Sequence, residues 1–390
     1  RKSIKTILNK MKINYTALFY FSKFQICFSQ NKISSKDGFI SPISESFDGQ
    51  KPEANWIWDS GDPNPKNYYL HIRKTINLNR LIKEAKVYVS AFSFAEIYIN
   101  GVYIDRVPTN PDPEYQTYEE IDISPYLKLG KNTIAALVFN AGEGLHHRMN
   151  GRGGFFFQAK IIVFNEKIIK LNSDKSWLVT KAKAWDNNTD HRQVDHTIGR
   201  KEKYDARLSF ENWEQNYFDD SDWENATEIG VPPIDPWNKI VVINRERTYL
   251  KNITPEREWS RNGLHIYDFG KAITAYPSFT VNAIKSGLTL EIGTAESLGK
   301  DSIPLITDNV NYMDSYITKK GLQSWHPITW RAFRYFAVKK NEGIKIKNVL
   351  AKFRSFPVKN RGYFSCSDKM LNDIWEIGRW SMQICAQDTW

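Results

Sequence analysis

The stretch AFSFAEIYINGVYID, residues 91–105, decides the fold of this chain. Apolar residues alternate on both sides of Asn100-Gly101, Ile97 and Ile99 before it, Val102 and Ile104 after it. Asn and Gly both tolerate positive φ, so this pair between alternating runs reads as a two-residue β-hairpin turn. Working outward, residues 86–90 place Val87 and Val89 on one face and residues 68–76 alternate, while residues 133–139 form the continuous apolar run of a buried strand. Trp56-Ile57-Trp58 opens this strand-rich region, and residues 155–164 and 177–180 extend it. Residues 123–132 read as a turn or short helix. Many short strands punctuated by turn signals predict an antiparallel β-sandwich.

Residues 181–262 are less regular. Phe218-Asp-Asp-Ser-Asp-Trp223 reads as a capped turn and Val231-Pro-Pro-Ile-Asp-Pro-Trp237 as a rigid connector. A second series of strands is expected over 264–269, 276–282, 288–294, 312–318, 330–338 and 344–356, with Leu288, Leu290 and Ile292 sharing a face. Only the last stretch, 366–390, is helical in pattern: Leu371, Ile374, Trp375, Gly378, Met382 and Cys385 make one stripe. Ser367 is the expected N-cap, with Asp368 favouring the positive helix N-terminus. A lone amphipathic helix must bury its stripe against something. The expectation is a helical domain that begins here and is cut off. The predicted fold is therefore mainly β, two antiparallel β-sandwich domains (54–262 with its irregular connector, and 263–358) followed by a truncated C-terminal helix (359–390).

The net charge of +10 is not a nucleic-acid signature. Eight Lys or Arg and no acid fall in residues 1–36, which leaves +2 for the rest of the chain. That basic lead reads as an export signal. Met11-Lys12 is a plausible start, 15–28 an apolar core and Ser29 a small residue before a cleavage point at Gln30, with a polar linker over 31–53. Export to the periplasm or cell surface is expected, and no later apolar run is long enough for a membrane span. Three cysteines make neither a disulfide framework nor a metal pattern, and Cys366 and Cys385 sit too far apart on a continuous helix to bridge each other.

The loop 140–154 joins two apolar strands and offers Asn140, Glu143, His146, His147, Arg148 and Arg152 as candidate carbohydrate-binding residues. The plainer alternative is a solvated hairpin connection. Asp190, His191, Asp195 and His196 have ligand-type side chains at a five-residue step, as any charged loop can. Asp219, Asp220 and Asp222 would suit Ca²⁺, although turn capping explains them as well. No other cofactor is implied, and no nucleophile elbow, P-loop or HExxH motif is present. High aromatic content, 14% with 13 Trp, suits either a β core or sugar-stacking faces.

Taken together, several stretches resemble the front half of the bacterial α-L-rhamnosidases, glycoside hydrolase family 78. Residues 91–105, 118–140, Tyr204-Asp-Ala-Arg207 and FDDSDWENA (218–226) resemble its N-terminal module. Tyr267-Asp-Phe-Gly-Lys271 and WHPITWRAFRYFAV (325–338) resemble its concanavalin-like β domain, and GYFSCSD (362–368) with the helix after it the approach to its (α/α)6 catalytic barrel. The likeness covers roughly 56–390. It implies a first sandwich of jelly-roll, galactose-binding-like type and a parent enzyme that removes terminal α-L-rhamnose, with inversion, from a rhamnose-containing oligosaccharide or glycoside. The family's catalytic carboxylates lie on the barrel, so no catalytic residue transfers to this chain. A stand-alone carbohydrate-binding protein or a structural surface protein would use the same sandwiches, but neither explains the helix.

Overall fold

The computed structural model describes residues 43–387, except 45–46, 109–114, 145–149, 194–197, 300–305 and 308–309. The expected signal over 11–29 lies outside the described residues. Strands Phe94–Ile99 and Val102–Val107 form the anticipated hairpin, with Ile99 opposite Val102. Asn100 and Gly101 both sit at positive φ, 52° and 81°. The Asn100 side chain also ties the turn down: its amide donates to the Tyr126 carbonyl at 2.8 Å and its oxygen accepts the Thr133 N–H at 3.0 Å.

The hairpin is the edge of a six-stranded sheet in the order Glu224–Asn225, Leu178–Lys181, Tyr68–Leu78, Gly130–Asn140, Phe94–Ile99, Val102–Val107. Facing it is an eight-stranded sheet, Ile43–Ser44, Lys239–Ile243, Tyr115–Asp122, Ile82–Ala91, Phe155–Val163, Trp56–Trp58, Thr227–Gly230, with Ile168–Asn172 paired to Phe155–Val163. Alternation does the sorting. Ala85, Val87, Val89 and Ala91 turn inward onto Leu70, Ile72, Ile97, Ile99, Ile134 and Val138 of the other sheet. Tyr88 turns outward, yet it too is buried, under a cluster containing Phe47, Trp56, Tyr118, Phe156 and Trp237. The proline-rich connector delivers Trp237, whose ring stacks on Trp56 at 3.8 Å. The strand 82–91 is thus covered on both faces.

The second module is one nine-stranded sheet wrapped around its own core. Its order is Lys203–Asp205, Met313–Ile317, Thr289–Ala295, Arg331–Lys340, Leu264–Ala283, Ile344–Ser355, Tyr249–Ile253, with Arg257–Arg261 and Gly321–Trp325 both paired to Leu264–Ala283. That 20-residue strand serves both layers. Its first part pairs with Arg257–Arg261 and its last part with Gly321–Trp325 and Ile344–Ser355, and its register breaks between Asp268 and Ile273. Gly270, at φ 79°, stands inside that break, where a side chain would strike the Glu256 carboxylate. Phe269, Phe279, Leu290, Tyr316, Phe333, Phe336 and Phe353 fill the core between the layers.

Two features differ from expectation. The pairing is not wholly antiparallel, because Lys239–Ile243 runs parallel to Tyr115–Asp122 and Lys203–Asp205 parallel to Met313–Ile317. The expected boundary at 262/263 also falls inside the second sheet, since Tyr249–Ile253 and Arg257–Arg261 already belong to it. The chain visits the second sheet at 203–205, returns to the first for 224–243, and crosses again. Long-range pairing decides such a path, and local pattern carries no trace of it.

The C-terminal helix, Lys369–Cys385, is present, but its N-cap is Asp368 rather than Ser367: the Asp368 carboxylate accepts the Met370 N–H at 2.8 Å. It docks on the second module by one side of its last turns. The Trp380 ring stacks on Phe353, donates Nε1–H to the Ala272 carbonyl at 2.7 Å and lies 3.4 Å beneath the Lys271 ammonium. Ile384 packs beside it on the same core. The expected stripe points away, with Leu371, Ile374, Trp375 and Met382 exposed, Ile374 at 56% and Met382 at 59%. Cys366 and Cys385 are both free thiols. Among the described residues no helix is long and apolar enough to cross a membrane.

Candidate functional site

The loop after strand Gly130–Asn140 is built into the fold rather than left free on the rim. Asn140 is buried, and its side-chain amide donates to the Pro65 carbonyl at 3.0 Å. Glu143 is clamped. Arg200 grips its carboxylate with two hydrogen bonds, 2.9 and 3.1 Å, and His191 Nε2 lies 2.9 Å from Oε1. Burial alone would raise the Glu143 pKa, but the hydrogen bonds and charge of Arg200, with His191, outweigh it and lower it. His146, His147 and Arg148 lie outside the described residues. Arg152 is half-buried, with its Nε enclosed and without a hydrogen-bond partner among the described residues. The glycines beside it allow close packing: a side chain at Gly153 would enter the Trp58 ring and one at Gly154 the Trp237 ring.

The Glu143 clamp therefore brings together the first module and the segment 186–202 that leads to the second. Of the spaced ligand-type residues in that segment, His191 turns to Glu143 and Asp190 to Lys201, while Asp195 and His196 lie outside the described residues. The aspartates at 219–222 do not converge either. Asp220 pairs with the buried Arg73 guanidinium at 2.8 Å, and Asp219 caps the Ser221 N–H at 3.1 Å. Among the described residues no group of three or more His, Cys, Asp or Glu is arranged to hold a metal.

The most heavily charged place in the molecule is one that sequence reading missed. Glu202, 2% exposed as a side chain, accepts the Ile328 N–H at 2.8 Å, the Thr329 N–H at 3.1 Å, the Thr329 hydroxyl and Arg331. Asp314, also buried, accepts the Glu202 N–H at 2.7 Å and pairs with both Arg192 and Arg331. Burial would push the Asp314 pKa up, but the two guanidiniums outweigh it and lower it. Nearby, Arg106 donates to the Ile328 carbonyl at 3.1 Å while its guanidinium lies over the Phe94 ring. Ile328 itself enters an apolar cluster with Tyr69, Phe94, Leu137 and Phe139 on the outer face of the six-stranded sheet. These residues join the two modules. With both carboxylates held by guanidiniums and backbone N–H groups, they are equipped to hold geometry.

Residues 80–244 match the family described as the alpha-L-rhamnosidase N-terminal domain. An α-L-rhamnosidase of Formosa agariphila is 26% identical over 338 residues, 80% of this chain and 34% of its own length. The chain thus spans about a third of the curated relatives it matches. Among solved structures, the glycoside hydrolase family 78 rhamnosidase of Bacillus sp. GL1 superposes with a TM-score of 0.78 at 16% identity, over 87% of this chain and 59% of the other. The α-L-rhamnosidase of Dictyoglumus thermophilum gives 0.68 at 25%, over 86% and 39%. The fold is that of the β region of the solved rhamnosidases. More particularly, residues 80–244 are similar to the N-terminal domain of the α-L-rhamnosidases.

Proposed function

We propose that this chain is the non-catalytic front of an α-L-rhamnosidase that removes terminal α-L-rhamnose from an oligosaccharide or glycoside with inversion. The observation that carries this reading is the match of residues 80–244 to the N-terminal domain of that family. In an inverting hydrolysis one carboxylic acid protonates the leaving oxygen while a second carboxylate, roughly 6.5–9.5 Å away, activates water across the ring. The buried carboxylates Glu202, Asp268 and Asp314 are committed to guanidiniums and backbone N–H groups, and both catalytic groups are assigned to a helical domain. The helix Lys369–Cys385 opens that domain, and its exposed face of Leu371, Ile374, Trp375 and Met382 is the surface the following helices cover. The β modules brace it and help to position substrate. The basic, then apolar, start of the chain suits an exported enzyme.

The test compares the 390-residue chain with the longer gene product on an aryl α-L-rhamnoside, following the released sugar by NMR. The chain alone is expected to release none, and the longer protein to release the β-anomer first. Turnover by the 390-residue chain would overturn the placement of the active site. An α-anomer as first product would overturn the mechanism.

A further inference from the structure

A cleft of about 740 Å³ opens where the two layers of the second module part, between residues 254–258 and 265–267 on one side and 344–349 on the other. That size is within the range of small-ligand clefts. Its floor is apolar: Tyr267, Ile344 and Val349 are all buried, and the rings of Tyr267 and His265 lie 4.8 Å apart. Its rim is cationic. Lys340, Lys345 and Lys347 line it, and none of them makes an ion pair among the described residues. Of the other charges at the cleft, Glu256 makes no ion pair among the described residues and takes back one of the three lysine charges, while the rest are engaged. Glu258 is drawn to His265 at 3.4 Å, and Arg257 is held by the buried Asp268, which Arg334 also grips. Lys345 and Lys347 are two apart on one strand and both are exposed. A row of cations over an apolar floor suits an extended anionic chain better than a single compact anion.

We propose that this cleft binds an oligosaccharide bearing anionic groups, carboxylates of uronic acids or sulfate esters, with the lysines meeting the anions and the floor meeting a sugar face. That the anion is carried on a saccharide rests on the rhamnosidase reading; the cleft and its charge do not. Affinity electrophoresis of the 390-residue chain tests it, in gels containing polygalacturonate, dextran sulfate or neutral dextran. Retardation is expected with one or both anionic polymers, which tells carboxylate from sulfate, and none with neutral dextran. Lys345→Gln with Lys347→Gln should weaken retardation at least tenfold. Lys128→Gln with Lys131→Gln, the same loss of charge from exposed lysines of the other module, should leave it within twofold. Lys340→Gln, a single exposed change, repeats the test should the double variant melt early. Equal loss in the control pair, equal retardation by neutral dextran, or no retardation at all would each overturn the proposal. None of these outcomes touches rhamnose release by the longer protein, so the two readings fail separately.

Discussion

Among single residues, His71 is a titratable group closed in by aromatic rings. It is 3% exposed, with the Trp213 ring 4.2 Å away and Phe210, Trp185 and Trp223 around it. Burial, with the Arg73 charge beside it, pushes its pKa down from 6.5 to about 3. The folded chain therefore keeps His71 neutral through a range in which the unfolded chain takes up a proton. Stability is full above pH 6.5 and falls as pH drops below it, by up to about 1.4 kcal/mol per pH unit for this one group. Asp268, held down to about 2, and the lowered Asp314 add their own loss only at lower pH. Urea denaturation at intervals between pH 7 and 4.5 should show this slope. His71→Leu should flatten it by close to that amount, and an unchanged slope would show that His71 is protonated in the folded chain.

Between elements, the contact that matters most for the proposed enzyme is the helix on the second module. Trp380 supplies a hydrogen bond and a cation–π contact, together roughly 2 kcal/mol at this partly exposed site. Trp380→Ala should raise cleavage of the 356–368 connector by a protease roughly 30-fold, because cleavage follows the population of the opened state. It should leave the melting of the β modules unchanged. An unaltered cleavage rate would mean that Trp380 does not hold the helix. This docking shows what was legible and what was not. The helix and its stripe could be read from the spacing of Leu371, Ile374 and Trp375, but its end at Cys385 could not, because the pattern runs on to Trp390. That the stripe would face outward, with Trp380 turned to the protein, could not, because helical periodicity names a face but not its partner. The hairpin at Asn100-Gly101 was legible for the opposite reason, since turn, register and alternation all lie within fifteen residues. The clamp on Glu143 was half-read: the residue was singled out, but Arg200, 57 positions away, carries no local sign of the pairing.

At the scale of the whole molecule the two β modules meet over buried charges of both signs, Glu202 and Asp314 with Arg192 and Arg331. Glu202→Ala would strand the Ile328 and Thr329 N–H groups in that junction and leave Arg331 to Asp314 alone, at a cost of about 3–5 kcal/mol. Calorimetry should show one transition for the parent chain. The variant should show a lower melting temperature and a separate, earlier transition of the second module. A variant that melts like the parent would show that the junction is not needed to unite them. The path of the chain through these modules also bears on how the protein is made. Lys203–Asp205 leaves the ribosome roughly a hundred residues before its partner Met313–Ile317, and Trp56–Trp58 waits still longer for Thr227–Gly230. At the usual 5–20 residues per second, the 203–205 edge stays unpaired for about 5–20 s in every round of synthesis. The first module has all its strands once Ile243 has emerged, so it can close while the second is still being made. Its last strands follow a segment that belongs to its neighbour, so it closes with Lys203–Asp205 still waiting for a partner.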